Sequence, residues 1–411
     1  MNYVIIGNST AAVGAVEGIR QVDSEGSITI ISSEPYHTYS RPLISYLLLG
    51  KTDEERMKYR SADFYEKNHC TLLLGKRAQS VDSTAKKVLL EDGTQIPYDK
   101  LLIATGSTPL VPPMSGLETV KEKYTFLSLD DAKALQASLR EAKKRVLIIG
   151  AGLIGLKCAE GIAHMTESLT VVDLSDHILS SILDSACAEI VQQKIESHGI
   201  QFLLGQSVQA FENNTALLST GEQIAFDVLV LAVGVRPNTA LAKSAGAAVN
   251  RGIVCNESQQ TSVADIYAAG DCCESHDISS ETDRILALLP NAYMQGECAG
   301  INMAGGCAQF TQAIPMNAIG FWDLHIVTAG SYTGELYQSI LEDGAIKKLY
   351  CQDNLLKGYI LIGNVENAGI YTSLIRNKTP LDTIDFELIA EKPSLMAFSK
   401  KFRYKKLGGV V

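Results

Sequence analysis

The sequence predicts an α/β protein built on parallel sheets, and three observations carry that prediction. Two stretches, one at the N-terminus and one in mid-chain, pass from an apolar strand pattern through a small-residue turn into a helical pattern. Each is followed by a second apolar run that leads to an acid. Two further segments, Tyr98 to Pro109 and Asp227 to Asn238, are strand patterns that end in small-residue turns about one domain apart.

The mid-chain stretch is the more explicit. Arg145-Val146-Leu147-Ile148-Ile149 runs into Gly150-Ala151-Gly152-Leu153-Ile154-Gly155. Gly150 permits the tight turn, Gly152 lets a pyrophosphate approach the backbone, and Gly155 lets the helix pack closely on the strand. Phosphates then sit where amide N–H groups and the helix dipole both favour negative charge. The next strand, Leu169 to Val172, delivers Asp173, ~20 residues on, where a carboxylate takes ribose hydroxyls. A 2′-phosphate would be repelled there and no Arg or Lys follows closely, so NADH is preferred over NADPH.

The N-terminal stretch is the same turn with substitutions. Tyr3 to Ile6 runs into Gly7-Asn8-Ser9-Thr10-Ala11-Ala12, with Ser9 and Ala12 where glycines are usual. Ile28 to Ile31 then leads to Glu34, a second candidate for gripping a ribose. Two such openings in one chain imply two dinucleotides, and FAD is the natural partner for NADH. Leu101-Leu102-Ile103-Ala104-Thr105-Gly106 and Val228 to Gly234 are strands ending in small-residue turns. Ile266-Tyr267-Ala268-Ala269-Gly270-Asp271 delivers an acid to a sheet end, where ligands of open α/β sheets bind.

Taken in order, the Gly7 turn, Glu34, Ala104-Thr105-Gly106, the Gly150 turn, Val233-Gly234 and Ala269-Gly270-Asp271 resemble the pyridine nucleotide–disulfide oxidoreductase superfamily over roughly residues 1 to 310. Tyr39 to Ser45 and Pro290 to Gly296 are similar to the NADH:rubredoxin reductase and nitrite-reductase flavin-domain branch. The resemblance implies two Rossmann-like domains, the NAD domain (111–240) inserted in an FAD domain (1–110 and 241–315), and a small α+β C-terminal domain (316–411). In that tail, alternating patterns at Ile346 to Tyr350 and Gly358 to Ile362 predict strands, and Ala368 to Arg376 a helix.

Composition bounds the setting. The 411 residues are 46% hydrophobic and 20% charged, with a formal net charge of -10. No sustained basic stripe points to nucleic acid, and no apolar run is long enough to span a bilayer. The chain enters a strand at Tyr3, which leaves no room for a signal peptide, and nine scattered cysteines fit a reduced cytoplasmic setting. The seven histidines fall at no ligand spacing, and no Cys-x-x-Cys occurs, so no metal site is expected.

The resemblance also assigns roles by position. Gly7, Ser9, Ala12 and Glu34 face the ADP half of FAD, Arg41 and Pro42 lie near its pyrophosphate and flavin, and Ala78, Thr105 and Gly106 line the same groove. Gly270 and Asp271 hold the ribityl or pyrophosphate region. Pro290 and Asn291 open a helix whose free amides point at the pyrimidine side of the flavin and favour its anionic reduced form. Gly150, Gly152, Gly155, Asp173 and Gly234 serve NAD. Trp322 matches an aromatic segment that closes over the flavin, with core packing as its alternative.

Two departures from the superfamily shape the expected chemistry. Disulfide reductases carry a Cys-x-x-x-x-Cys on the first helix, and the oxidase and peroxidase branch a single Cys after the second strand. Here no cysteine precedes Cys70. The vicinal Cys272-Cys273 pair reads as apolar packing, with a redox role as its alternative, so electrons leave directly from the flavin. Many relatives also place a Lys–Glu pair near flavin N5, at positions that are Tyr46 and Lys157 here. Lys157 is therefore expected to approach N5, the alternative being a surface lysine.

The expected function is an FAD enzyme that takes hydride from NADH and reduces an external acceptor, a rubredoxin-like small redox protein by resemblance. An NADH oxidase that uses oxygen and a redox-sensing or electron-entry flavoprotein subunit are the alternatives. Ser399 to Lys406 is a candidate acceptor-docking patch, with a solvated terminus as its alternative. The oligomeric state stays open, a homodimer included.

Overall fold

The computed structural model describes residues 1–340, 344–400 and 403. It divides into two compact units, Met1–Glu274 with Ala292–Phe310, and Ser275–Asn291 with Thr311–Val411.

The first unit opens with β1 (Asn2–Ile6), helix α1 (Thr10–Val22) and β2 (Ser27–Ser32), the strands pairing in parallel with Tyr3 opposite Ile28. A short helix α2 (Ile44–Leu48) precedes β3 (Cys70–Leu74), which pairs with β2, and β4 (Lys100–Ile103) pairs with the other side of β1. An antiparallel meander, Ala78–Asp82, Lys87–Leu90 and Gln95–Pro97, lies between them in sequence. Near-continuous apolar runs form these strands because both sheet faces are covered. Tyr3 and Ile5 pack with the Ala11–Ile19 face of α1, while Val4 and Ile6 pack with Val81, Val88 and Leu90 of the meander.

The chain then crosses to a second parallel sheet through Ser107–Pro109, which pairs antiparallel with the returning Val235–Pro237. That sheet comprises β5 (Lys123–Thr125), β6 (Arg145–Ile149), β7 (Ser168–Asp173), β8 (Ile200–Leu204) and β9 (Val228–Leu231), in spatial order β8-β7-β6-β9-β5. Helix α3 (Leu129–Arg140) starts at a capping box in which Ser128 and Asp131 satisfy each other's backbone N–H. Helix α4 (Leu153–Ile162) follows the Gly150 turn. After the second sheet, β10 (Ile266–Ala268) pairs with β4 and completes the first sheet in the order β10-β4-β1-β2-β3.

Helix α5 (Leu289–Met303) runs through the boundary of the two units. Its first-unit part packs on α1 at backbone distance. A Cβ on Gly14 would fall 2.3 Å from Tyr293 O, and one on Gly296 2.0 Å from Ala11 O. Small residues on both helices therefore fix where the chain after Asp271 meets the first turn.

The second unit carries a hairpin, β11 (Ser275–Asp277) and β12 (Thr282–Arg284), and an antiparallel sheet. The sheet strands are β13 (Met316–Phe321), β14 (Leu324–Gly330), β15 (Glu335–Ile340), β16 (Ile346–Gln352) and β17 (Leu355–Ile362), ordered β13-β14-β17-β16-β15. Helix α6 (Ala368–Arg376) buries Tyr371, Leu374 and Ile375 against Tyr359 and Leu361, as the sequence pattern predicts. Among the described residues, no helix is long and apolar enough to cross a membrane.

Candidate functional site

The first turn is set by Gly7, whose φ of +116° and close approach to the β4 end admit no side chain: a Cβ would sit 2.0 Å from Ala104 O. Gly7 and Ala104-Thr105-Gly106 are thus neighbours, as their assignment to one ligand requires. Ser9 takes the N-cap position of α1 without a side-chain cap bond, and Ala12 is buried on the same helix. Thr105 Oγ1 donates to Asn238 O at 2.9 Å, and Asn238 Nδ2 returns a bond to Thr105 O at 2.8 Å, which ties this groove to the returning crossover. The space over Gly106 is open.

The charged residues converge on this turn. Glu34, just after β2, pairs through Oε1 with Arg41 and accepts at Oε2 from the Tyr39 hydroxyl at 2.7 Å. Burial works against the Arg41 charge, but Tyr39, Glu34 and Asp271 outweigh it and hold the guanidinium firmly protonated. Asp271, after β10, accepts from Ser107 Oγ at 3.2 Å. Burial pushes its carboxyl above the usual aspartate range, and Ser107 and Arg41 only partly oppose that. Arg41 thus stands between two carboxylates. Pro42 lies in the one-turn segment Arg41–Leu43, and Ala78 opens a meander strand, half-buried against the core.

The second turn repeats the geometry with sparser surroundings. Gly150 has a φ of +113°, and a Cβ there would lie 2.3 Å from Ala232 O, next to Val233-Gly234. A Cβ on Gly155 would strike Gly150 O at 1.9 Å, whereas over Gly152 and Gly234 the space is open. Asp173 accepts from Ala151 N at 2.6 Å and Ser175 N at 2.7 Å, so backbone amides fix its carboxylate at the turn.

Lys157 is not a surface lysine. Its side chain is 17% exposed and pairs with Glu160, 5% exposed, on the same helix. The ammonium stands 4.9 Å from the centroid of the Tyr46 ring in α2. Glu160 was outside the expected site, although its i,i+3 spacing from Lys157 was visible.

In the second unit, Pro290 is the second residue of α5, and Asn291 is fully buried, its Nδ2 donating to Ile314 O at 2.9 Å while Oδ1 has no partner. Trp322 forms the β13–β14 turn at a φ of +53°, a left-handed conformation rare for a bulky residue.

These residues fit dinucleotides. Opposite charges flank the first turn, the space over Gly106 is open, and the buried Thr10 Oγ1 beside that turn has no partner. Residues 1–296 match the family described as pyridine nucleotide-disulphide oxidoreductase. The chain belongs to that family.

Members similar to it share that chemistry. Over 400 residues, 94% of each chain, it is 29% identical to the NADH-dependent phenylglyoxylate dehydrogenase subunit epsilon of Aromatoleum evansii. Over 311 residues, 74% of this chain and 80% of the relative, it is 29% identical to the rubredoxin-NAD(+) reductase of Pseudomonas putida. It spans about half the length, 49% and 47%, of two Bacillus subtilis relatives, an assimilatory nitrate reductase electron transfer subunit and a nitrite reductase. The fold matches the covalent putidaredoxin reductase–putidaredoxin complex with a TM-score of 0.86 at 24% identity, over 95% of this chain and 96% of that one. This family member is therefore an oxidoreductase that uses FAD and NADH.

Two residues beyond those expected hold the flavoprotein's site together. Tyr39 bonds Glu34 and also accepts from Leu129 N, the first residue of α3, at 3.0 Å. Gln295 Oε1 accepts from Gly270 N at 2.9 Å and so fixes the loop that carries Asp271. Both lie in the segments that carry the branch resemblance, but only the fold shows what they bridge. Cys272 and Cys273 are free and buried. Burial pushes the Cys272 thiol up to about 11, and its neighbour Cys255, together with burial, raises Cys273 further. Neither is a thiolate at neutral pH. Of the candidate docking patch, residues 401, 402 and 404–406 lie outside the described residues.

Proposed function

We propose that this chain is an FAD-dependent reductase that prefers NADH over NADPH and delivers electrons to a separate redox protein of the rubredoxin type. The observation that carries this reading is that no thiolate stands at the assembled nucleotide turns: no cysteine precedes Cys70, and Cys272, which donates to Ile103 O beside the first turn, and Cys273 are buried and protonated. When bound, FAD supplies the ring that accepts hydride from NADH and returns electrons to the acceptor. Gly7, Ser9, Ala12, Glu34, Ala78, Thr105 and Gly106 would hold its ADP half. Arg41 would neutralise the pyrophosphate, with Pro42 beside it, and Asp271 on Gly270 would accept from ribityl hydroxyls. Gly150, Gly152, Gly155 and Gly234 would seat the NADH pyrophosphate, and Asp173 would take the adenosine ribose. Lys157 over Tyr46 would favour negative charge on the reduced ring. The family resemblance would add Pro290, Asn291 and Trp322 to the flavin-binding residues. The domain bounds 1–110 with 241–315, 111–240 and 316–411 belong to the same proposal.

A second reading, an electron-entry subunit of a larger dehydrogenase, is supported by the match over 94% of both chains to the epsilon subunit. Anaerobic stopped flow separates the readings. Fast bleaching by NADH and fast recovery on adding oxidised rubredoxin is the expected result. Slow bleaching with a persistent NAD complex supports the subunit, and recovery as fast with oxygen supports an oxidase. A thiol–flavin charge-transfer band overturns direct transfer.

A further inference from the structure

Glu160 is a buried carboxylate on α4, 5% exposed, and such a group is tolerated only when paired. Its Oε2 pairs with Lys157, one turn earlier, and Lys157 in turn lies over the Tyr46 ring. Helices α4 and α2 touch here. A Cβ on Gly161 would be 3.2 Å from Ser45 O and 3.3 Å from Leu48 Cβ. Helix α2 directly follows Arg41–Leu43, the segment that supplies the Arg41 cation to the first turn. Helix α4 directly follows the Gly150 turn. The ion pair therefore sits where the helix leaving the NADH turn crosses the segment leaving the FAD turn.

A lysine alone at this crossing would swing on four rotatable bonds, and its field on a nearby ring would vary with them. A carboxylate one turn away fixes the ammonium and partly cancels its charge. We propose that Glu160 is a positioning residue that orients Lys157 toward the meeting point of nicotinamide and isoalloxazine and sets how strongly that ammonium stabilises the reduced, anionic ring. Glu160 acts through Lys157. Tyr46 supports the ammonium on its other side through its ring face. This inference rests on the proposed hydride transfer from NADH to FAD.

The two charges act on the ring with opposite sign, so removing each moves the midpoint potential of bound FAD in opposite directions. Anaerobic reductive titration of the holoprotein reads this without turnover. Lys157→Met is expected to shift the reduction equilibrium about tenfold toward the oxidised form, ~30 mV lower for a two-electron couple. Glu160→Gln is expected to shift it the other way, and the double variant to fall between the two. Glu160→Asp, which moves the carboxylate by one methylene, is expected to follow Glu160→Gln by a smaller amount. Equal-sign shifts in the two single variants, or an unchanged potential in both, overturn the proposal. Should Glu160→Gln lose its flavin, Glu160→Asp decides: an upward shift supports the role and no shift overturns it. Failure of NADH to bleach the wild-type flavin would instead overturn the functional reading itself.

Discussion

The two glycine turns share a backbone and differ in everything around it. Gly7 and Gly150 have nearly the same φ, +116° and +113°, and each closes on the carbonyl of an alanine at a neighbouring strand end. Around the first turn the chain gathers Glu34, Tyr39, Arg41, Ser107, Asp271 and Gln295. Around the second, the bonds to Asp173 come from the Ala151 and Ser175 amides. A group retained through every turnover gains from many charged, desolvated contacts, because each is strong when buried. A cosubstrate that must leave at each turnover gains from few. The contrast supports the proposed placement of FAD at the degraded motif and NADH at the complete one: the first turn would compensate for Ser9 and Ala12 with charge, and the second would rely on backbone approach.

The sharpest way to break this contrast is Asp271→Asn, which keeps the shape and removes one of the two carboxylates flanking Arg41. Loss of a charged hydrogen-bond acceptor costs roughly 1.5–3 kcal/mol, so FAD affinity should fall about tenfold to a hundredfold, and the variant should purify with little flavin. Absorbance at the flavin band against protein checks it. The apoprotein should respond in the opposite sense. Burial raises the Asp271 carboxyl, so the folded state holds a proton the unfolded chain has released. Wild-type apoprotein therefore loses stability as pH rises from the ordinary aspartate value of ~3.9 through the raised folded value. Asp271→Asn should not, and melting of both apoproteins across that range would show it. A variant that keeps its flavin would mean that the charge cluster is not what holds FAD.

Gly155→Ala probes the other turn. Ala12 occupies the corresponding position of the first turn without strain, but a Cβ on Gly155 would meet Gly150 O at 1.9 Å. Overpacking of that kind costs roughly 1–3 kcal/mol. The melting midpoint should drop and the KM for NADH rise, while flavin content is preserved. A normal KM would show that the helix can retreat enough to admit the methyl group. A smaller effect, on specificity, is expected from Asp173→Ala combined with Leu174→Arg. Leu174 is exposed beside the carboxylate. Trading the anion for a cation there should improve kcat/KM for NADPH relative to NADH by about tenfold, roughly 1.4 kcal/mol.

The glycine turns, the strand-end acids and the α6 helix were legible in the sequence because they are local: period, spacing and turn chemistry act within a few residues. The partners were not. Glu34 and Asp173 both read as ribose acids, and nothing local distinguishes one locked to Arg41 and Tyr39 from one held by amides. Lys157 and Glu160 are three residues apart, yet their burial depends on α2, more than a hundred residues earlier in the chain. Gln295 reaches Gly270 only because glycines let α5 lie against α1. Trp322 gave no sign of its left-handed backbone, since a Trp-Asp pair is not a sequence signal for that turn.

Tyr39 offers the finest cut between the two sites. Its hydroxyl donates to Glu34 and accepts from Leu129 N, so one oxygen joins the acid of the first turn to the first residue of a helix flanking the second sheet. Burial raises the pKa of that hydroxyl, which stays protonated and able to donate at neutral pH. Tyr39→Phe leaves the ring in place and removes these two bonds and a third, which the hydroxyl accepts from Arg41 at 3.3 Å. Arg41 still pairs with Glu34, so flavin should be retained, and the loss in stability should be about 1.5–3 kcal/mol, the worth of a hydrogen bond to a charged group. The informative readout is the KM for NADH. A rise alongside unchanged flavin content would show that the grip on FAD helps place the NADH half. An unchanged KM would confine Tyr39 to its own side of the crossing and leave the influence of one turn on the other to contacts such as Lys157 over Tyr46 and Arg41 on Leu127 O.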